Sequence, residues 1–425
     1  MPRIASLENL HEAFLRAARG KCGKREVKDF RCHLEENLQR MGRELLEGNY
    51  RFGSYHFFTI HDPKERTICA ATFKDRVAFH AMMRICHPVF DNYQISDSYA
   101  SRIGKGTYKA LERAQQLCRR YAWFAKMDMC KYFDSIDHEV MLRQLGRLFK
   151  DPQLLIYFRD LLDGYEVTRG KGLPIGNLTS QYFANHYLSV ADHYMKQEVG
   201  VPGLVRYMDD ILLFSNDRKE LRGYVSRLKE YVEKELRLTI HDPVINRTCH
   251  GIPFLGYVVY GKELRLNQRS RKRFRQRMGD LEKDLAMGMI SDKEYAMRAS
   301  CLFAFIDKAE AADFRYRVFN QAMRPQGLQP REPWRQLEQQ REELPCVESE
   351  QQQSVEPQQQ PRLAPCPIAQ PCPERLFHSR EEQDASAAHI DTVGMANKKN
   401  EMVYALVASG ERAAPLCNGI KVGCL

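Results

Sequence analysis

Leu204-Val205-Arg206-Tyr207-Met208-Asp209-Asp210-Ile211-Leu212-Leu213-Phe214 sets two adjacent carboxylates between two apolar runs. Each flank is too short for a typical helix and apolar enough for a strand, so the segment reads as a hairpin with the acids at its tip. Like charges held that close repel, and the arrangement makes physical sense mainly where a cation sits beside them. Taken alone, an Asp-Asp pair is better read as a solvated turn, because turns favour Asp. The rest of the chain changes that balance.

A second acidic site lies upstream in Phe124-Ala125-Lys126-Met127-Asp128-Met129-Cys130-Lys131-Tyr132-Phe133-Asp134. Asp128 ends an apolar strand spanning 123–128, which puts its carboxylate at a sheet end rather than in a core. If that strand lies beside the 207–214 hairpin, Asp128, Asp209 and Asp210 converge. Hard divalent cations take oxygen ligands, and a pair of them can clamp the attacking and leaving oxygens of an in-line displacement.

The surroundings bound the answer. At 425 residues the chain has room for two or three domains. Lys and Arg number 65 against 55 Asp and Glu, a net charge of +10 that suits a polyanionic partner. The 13 cysteines are scattered and show no two-residue pairing, which points to a reducing cytoplasm; Cys366 and Cys372 lie in a Pro-rich stretch and are poor metal ligands. The start of the chain is amphipathic, with Leu7, Leu10, Phe14 and Ala17 at helical spacing, and lacks the apolar core of a signal peptide. No apolar run is long enough for a membrane span.

Two regimes divide the sequence. Up to about 320, helix and strand patterns alternate, which predicts an α+β fold around an antiparallel sheet. A helix is expected over 25–50, strands over 55–60 and 67–70 with a turn between them, and helices over 74–87, 137–149 and 178–198. From about 325 the composition changes, glutamines interleave with prolines between Pro325 and Pro373, and such a stretch cannot bury enough apolar surface to offset its ordering entropy. The tail over 325–425 is expected to be largely disordered, and the short apolar run at 403–407 has no evident partner.

The two acidic sites, in this order and 81 residues apart, resemble the palm motifs of reverse transcriptases, whose signature hairpin is here Tyr207-Met208-Asp209-Asp210. The similarity runs from about 50 to about 260. It implies a right-hand polymerase fold: N-terminal helices and fingers over 1–120, a palm over 121–262 including the 172–198 helix motif, a short helical thumb over 263–324, and the tail. Gly172-Leu173-Pro174-Ile175-Gly176-Asn177-Leu178-Thr179-Ser180-Gln181 resembles the next palm motif. Most of the family carries Gln-Gly and ends this motif with Ser-Pro, whereas this chain has Ile175-Gly176 and Ser180-Gln181. That variant is similar to the reverse transcriptases of diversity-generating retroelements, which copy a template RNA with frequent errors at adenines. A Gln beside the nascent pair can hydrogen-bond the incoming nucleotide; Ile175 cannot, so one geometric check is missing.

The resemblance implies further roles. Asp128, Asp209 and Asp210 would be the catalytic metal ligands for two Mg2+ ions, with Mn2+ able to substitute. Ile175, Gly176 and Gln181 would face the nucleotide, and Lys64, Arg66, Arg102 and Lys105 would meet its triphosphate, whose leaving-group charge such cations neutralise. Phe133 occupies the position where a bulky ring excludes a 2′-hydroxyl, and its alternative reading is a core aromatic. His241 stands where many relatives place a proton donor to pyrophosphate. Phe254-Leu255-Gly256-Tyr257 resembles the primer grip, and Arg269, Arg271, Lys272, Arg273, Arg275 and Arg277 would track the backbone of an RNA–DNA hybrid. Implied partners are template RNA, the hybrid, dNTPs and a small basic accessory protein. Two other readings stay open: another bacterial lineage, either group II intron maturase-like or phage-defence, and a non-catalytic polymerase-like RNA-binding protein. The absence of a Cys-rich or His-Asn-His pattern at the end of the sequence points away from a full intron protein.

Overall fold

The computed structural model describes residues 1–61, 65–306 and 309. Lys64 and the Gln/Pro-rich stretch lie outside the described residues. Nine strands are present among them: β1 (His56–His61), β2 (Glu65–Ala70), β3 (Trp123–Met127), β4 (Gly203–Tyr207), β5 (Asp210–Ser215), β6 (Val244–Arg247), β7 (Ile252–Phe254), β8 (Tyr257–Val259) and β9 (Leu264–Leu266). They form three antiparallel sheets, a β1-β2 hairpin, a four-stranded sheet in the order β4-β5-β3-β6, and a three-stranded β7-β8-β9 sheet.

The four-stranded sheet is the structural centre. Every residue of β4 and β5 is buried, so both faces of these strands are covered. That is why their sequences read as nearly continuous apolar runs rather than as alternation. Helix Arg218–Leu236 packs on β5 and β3, and helix Thr107–Arg120 packs on β4. The first of these helices presents Leu221, Tyr224, Val225, Leu228, Val232 and Leu236 as one buried stripe, and Asp217 caps its start by accepting from Lys219 N. Val205, Leu212, Leu213 and Phe214 are fully buried, and each such side chain contributes about 1.5–3 kcal/mol by leaving water.

The fingers side begins with the amphipathic helix expected from Leu7, Leu10, Phe14 and Ala17. It spans Leu7–Ala18 and packs on the long helix Phe73–Tyr93. Where one helix is expected over 25–50, two are found, Arg25–Cys32 and Leu34–Glu47, because His33 leaves helical geometry at φ −122° and ψ 44°. The helix expected over 178–198 is likewise subdivided into Leu178–Tyr187, Ser189–His193 and a π-helical turn Tyr194–Glu198. The Ser189 hydroxyl donates to the His186 carbonyl at that junction, and such back-bonding bends helices. On the thumb side, the three-stranded sheet leads into helices Gln268–Ala286 and Asp292–Ile306, which pack on each other. Among the described residues no helix is long and apolar enough to cross a membrane.

Candidate active site

The acids are placed by strand register. β3 and β5 run antiparallel with Met127 opposite Ile211 as the last pair, so Asp128 leaves β3 at the level where Asp210 enters β5. Tyr207 pairs with Asp210, which leaves Met208 and Asp209 as the two residues of the hairpin turn. Met208 takes a left-handed backbone at φ 55° although it is not glycine, and it is 1% exposed. A positive φ at the first turn residue matches the twist of tight hairpins; for a residue with a Cβ it costs about 1–3 kcal/mol, which the surrounding core must offset.

Asp210 is buried, while Asp128 and Asp209 are half-buried. Lys126 Nζ lies 3.8 Å from Asp210 Oδ1. Arg66 is on β2. Burial lowers the pKa of its guanidinium, and Asp209 and then Asp128 are the charges that oppose the shift. The three carboxylates therefore differ in surroundings: Asp128 and Asp209 feel the charge of Arg66, and Asp210 has Lys126 beside it. Among the described residues, no group of three or more His, Cys, Asp or Glu side chains is gathered tightly enough to hold a metal ion by itself. Asp128 and Asp209 are the residues that could contribute to a site for Mg2+, which is commonly bound by one or two carboxylates with substrate phosphates and water completing its shell.

The remaining sequence-predicted residues fall into two groups, the first around these acids. His241 is exposed, and its backbone N–H donates to the Asp128 carbonyl at 2.9 Å, while Cys130 N donates to Thr239 O at 2.8 Å. Phe133 is buried at an angle to Tyr132, with ring centroids 5.9 Å apart, and its carbonyl accepts from Leu173 N at 2.8 Å. This bond docks the 172–177 loop on the short helix Tyr132–Ser135. The Ile175 carbonyl accepts from Cys69 N at 2.8 Å, tying the same loop to β2. Gly176 has φ 113°, and a Cβ there would stand 2.9 Å from Ile68 Cγ2, so both conformation and space require glycine. Gln181 is buried, and its Oε1 accepts from Ser101 Oγ at 3.3 Å.

In the second group, the Arg102 guanidinium is bonded to acceptors near it in the chain. Its Nε donates to Asp91 Oδ1 at 2.7 Å, and its other nitrogens donate to the carbonyls of Ile95, Ser98 and Asp91, an arrangement that fixes the loop before helix Thr107–Arg120. Lys105 donates to the Ser96 carbonyl at 2.7 Å and lies over the Tyr99 ring. Two short-range acceptor sets outcompete solvent exposure for these bases. In the Phe254–Tyr257 segment, only the turn residues Leu255 and Gly256 reach the surface. Both have positive φ, 49° and 89°, while Phe254 and Tyr257 are buried. The Tyr257 hydroxyl donates to the Phe305 carbonyl and Ser270 Oγ donates to Gly256 O, so this turn is anchored on the two thumb helices.

Sequence reading overlooked Arg206. It sits in the middle of an apolar strand, is 0% exposed, and bonds to Asp192, Asn185, Gln94 and the Met208 carbonyl. The signal was present: a charged residue inside a buried strand has to be paired. Tyr207 supplies a second brace, its hydroxyl 3.0 Å from Thr107 Oγ1.

An antiparallel palm sheet with acids at a strand end and a hairpin tip, accompanied by a fingers hairpin and followed by paired helices, is the arrangement of a right-hand polymerase fold. Residues 61–259 match the family described as reverse transcriptase (RNA-dependent DNA polymerase). Among curated proteins, the chain is 23% identical over 173 residues to the putative COX1/OXI3 intron 1 protein of Saccharomyces cerevisiae, covering 39% of this chain and 21% of that protein. It is 22% identical over 179 residues to protein YkfC of Escherichia coli, covering 39% of this chain and 46% of the relative. Nuclear intron maturase 2, mitochondrial, of Arabidopsis thaliana is 22% identical over 143 residues, or 30% of this chain and 20% of the relative. The chain thus spans less than half the length of these relatives. Among solved structures, telomerase from Candida albicans in complex with a fragment of telomeric RNA aligns with a TM-score of 0.40 and 12% identity over 65% of this chain and 60% of the other, too loosely to carry an argument.

Proposed function

We propose that the protein is an RNA-directed DNA polymerase that makes cDNA on a template RNA, with errors concentrated at template adenines. The observation that carries the polymerase reading is the strand register, which sets Asp128 at the level of Asp210 beside the hairpin turn that holds Asp209, inside the segment that matches the family. Asp128 and Asp209 would hold Mg2+, which when bound supplies positive charge to the reacting phosphate and favours the ionised form of the attacking hydroxyl. Arg66 meets the triphosphate and neutralises charge as pyrophosphate leaves. Asp210, next to Lys126, supports the pair from the sheet end. Phe133 limits the space beneath the sugar and selects against a 2′-hydroxyl. His241, held by backbone beside Asp128, is the candidate proton donor to pyrophosphate. Positioning and charge neutralisation carry most of the rate in such transfers.

The error-prone reading rests on Ile175, whose half-buried side chain has no group to hydrogen-bond a nucleotide. A second reading has its own support: several of the similar proteins are named as intron proteins or intron maturases, which favours a group II intron-like lineage. Primer extension by the purified protein on an RNA template, with dNTPs and Mg2+, tests the first claim. Incorporation should fall by more than roughly 10³-fold in Asp209→Ala with the fold intact, as expected when a transition-state charge loses its partner. Equal rates in the two proteins would leave a non-catalytic RNA-binding protein. Sequencing the products separates the lineages. Misincorporation concentrated at adenines and reduced by Ile175→Gln supports the diversity-generating class, while an even error spectrum that the substitution does not alter supports the intron-like one. Comparing rates with and without the products of neighbouring genes would reveal the small basic accessory partner.

A further inference from the structure

We infer that Arg206 is a positioning residue for the acidic tip: it fixes the Met208 carbonyl, and through it the direction of Asp209, from a fully buried guanidinium. The inference rests on the polymerase reading above. An arginine offers five N–H donors in a rigid planar fork. All five are used. Nε donates to Asp192 Oδ2 at 2.7 Å, one terminal nitrogen to Asn185 Oδ1 at 2.8 Å and Met208 O at 3.1 Å, and the other to Gln94 Oε1 at 2.8 Å and Asn185 O at 3.2 Å.

Charge balance alone does not account for this set. Asp192, 2% exposed, neutralises the guanidinium through a single nitrogen. The other four bonds go to neutral oxygens on three separate elements: the residue that ends helix Phe73–Tyr93, the helix Leu178–Tyr187, and the hairpin turn itself. The last is the informative one. Met208 holds a left-handed backbone that its own side chain disfavours, and its carbonyl belongs to the peptide that leads into Asp209. A donor fixed on that carbonyl selects one orientation of the peptide. The acceptors around it are fixed in turn, since Asn185 Nδ2 donates to Ala100 O at 2.9 Å and Ser98 Oγ to Gln94 Oε1 at 3.2 Å. The backbone of Arg206 is held as well, its N–H donating to Asp97 O and its carbonyl accepting from Tyr99 N, both at 2.9 Å. The same guanidinium thus joins the acidic turn to the helix that carries Gln181.

Two variants separate positioning from mere burial of an ion pair. Arg206→Lys keeps the positive charge next to Asp192 but cannot reach all four neutral acceptors, and Arg206→Met combined with Asp192→Leu removes the pair with little change in volume. Steady-state dNTP incorporation and amide hydrogen exchange are measured for both, with Asn185→Ala as a milder third variant that leaves the ion pair in place. The expected result is a kcat about 100-fold lower with little change in KM for dNTP, the size of effect that a small misplacement of a reacting group produces. Exchange at the amides of 207–210 should quicken while exchange elsewhere in β4 and β5 stays slow. A folded double variant with the kcat and the tip exchange of the unaltered protein overturns the proposal, because Arg206 then serves only to neutralise Asp192. If the larger substitutions fail to fold, Asn185→Ala decides by the same two readouts, with a roughly 10-fold loss expected and no loss overturning it. Should the unaltered protein incorporate no dNTP, the polymerase reading fails on its own, and tip exchange still reports on Arg206.

Discussion

The sheet that carries the acids and the hairpin that carries Arg66 are both antiparallel β-structure, yet they are held in opposite ways. β4 and β5 are buried at every residue, sit next to two long helices, and have the Arg206 network behind their turn. The β1-β2 hairpin is a separate two-stranded sheet, and Phe57 on it is 54% exposed. Its contacts with the palm include the bond from Cys69 N to Ile175 O and the approach of Ile68 to Gly176. A two-stranded hairpin is marginal by itself, whereas a doubly covered sheet is the last part of a fold to open. The carboxylates are thus fixed in advance, and Arg66 is carried on an element that can adjust its position at little cost. That division suits a reaction whose rate depends on preorganised charge.

Deleting the same ring from each region gives the largest test of this contrast. Phe214→Ala, in the core of β5, should destabilise the protein by about 3–5 kcal/mol, while Phe57→Ala should change stability by about 0.5 kcal/mol or less, both read from urea unfolding. Similar values for the two would show that the hairpin is as firmly held as the palm.

Acid should attack the palm side next. Burial, and then the positive charge of Arg206, hold the His186 imidazole at a pKa of about 4, below its usual 6.5. The folded state therefore favours the neutral ring, and its contribution is fully present above pH 6.5 and lost as pH falls from there towards 4. Between pH 7 and 4.5 the protein should lose about 2–3 kcal/mol more than His186→Asn does. Parallel losses in the two proteins would place the acid sensitivity elsewhere.

The smallest of the three effects probes the hairpin's cation. Arg66→Ala should raise KM for dNTP by roughly 10–100-fold with little change in stability, the range of one or two hydrogen bonds to a charged group. An unchanged KM would mean that Arg66 serves only to balance Asp128 and Asp209.

The fold class and the backbone placement of the acids were legible because their signals are local. Two apolar runs around Asp209-Asp210 specify a hairpin, and an apolar strand ending in Asp128 specifies a carboxylate at a sheet end. The loop at 172–177 was legible for the same reason, since Gly172 and Gly176 announce a backbone that other residues avoid. The loop contacts of Arg102 and Lys105 were not legible because a basic residue looks the same in sequence whether it faces a ligand or its own loop. Their acceptors are carbonyls and a carboxylate, and only folding brings those within reach. The helix breaks at His33 and Ser189 were lost to smooth apolar periodicity, which does not register a single residue leaving helical geometry.

By itself the sequence determined which residues can form strands, where the turns fall, and which side chains can carry charge to the site. Tertiary structure alone decided how those charges are shared. Asp128 and Asp209 feel the charge of Arg66, Asp210 lies near Lys126, and Arg206 is enclosed by partners from residues 94, 185, 192 and 208. The reason is physical: strand and turn propensities act over a few residues, whereas a buried charge is satisfied only by groups that distant parts of the chain deliver.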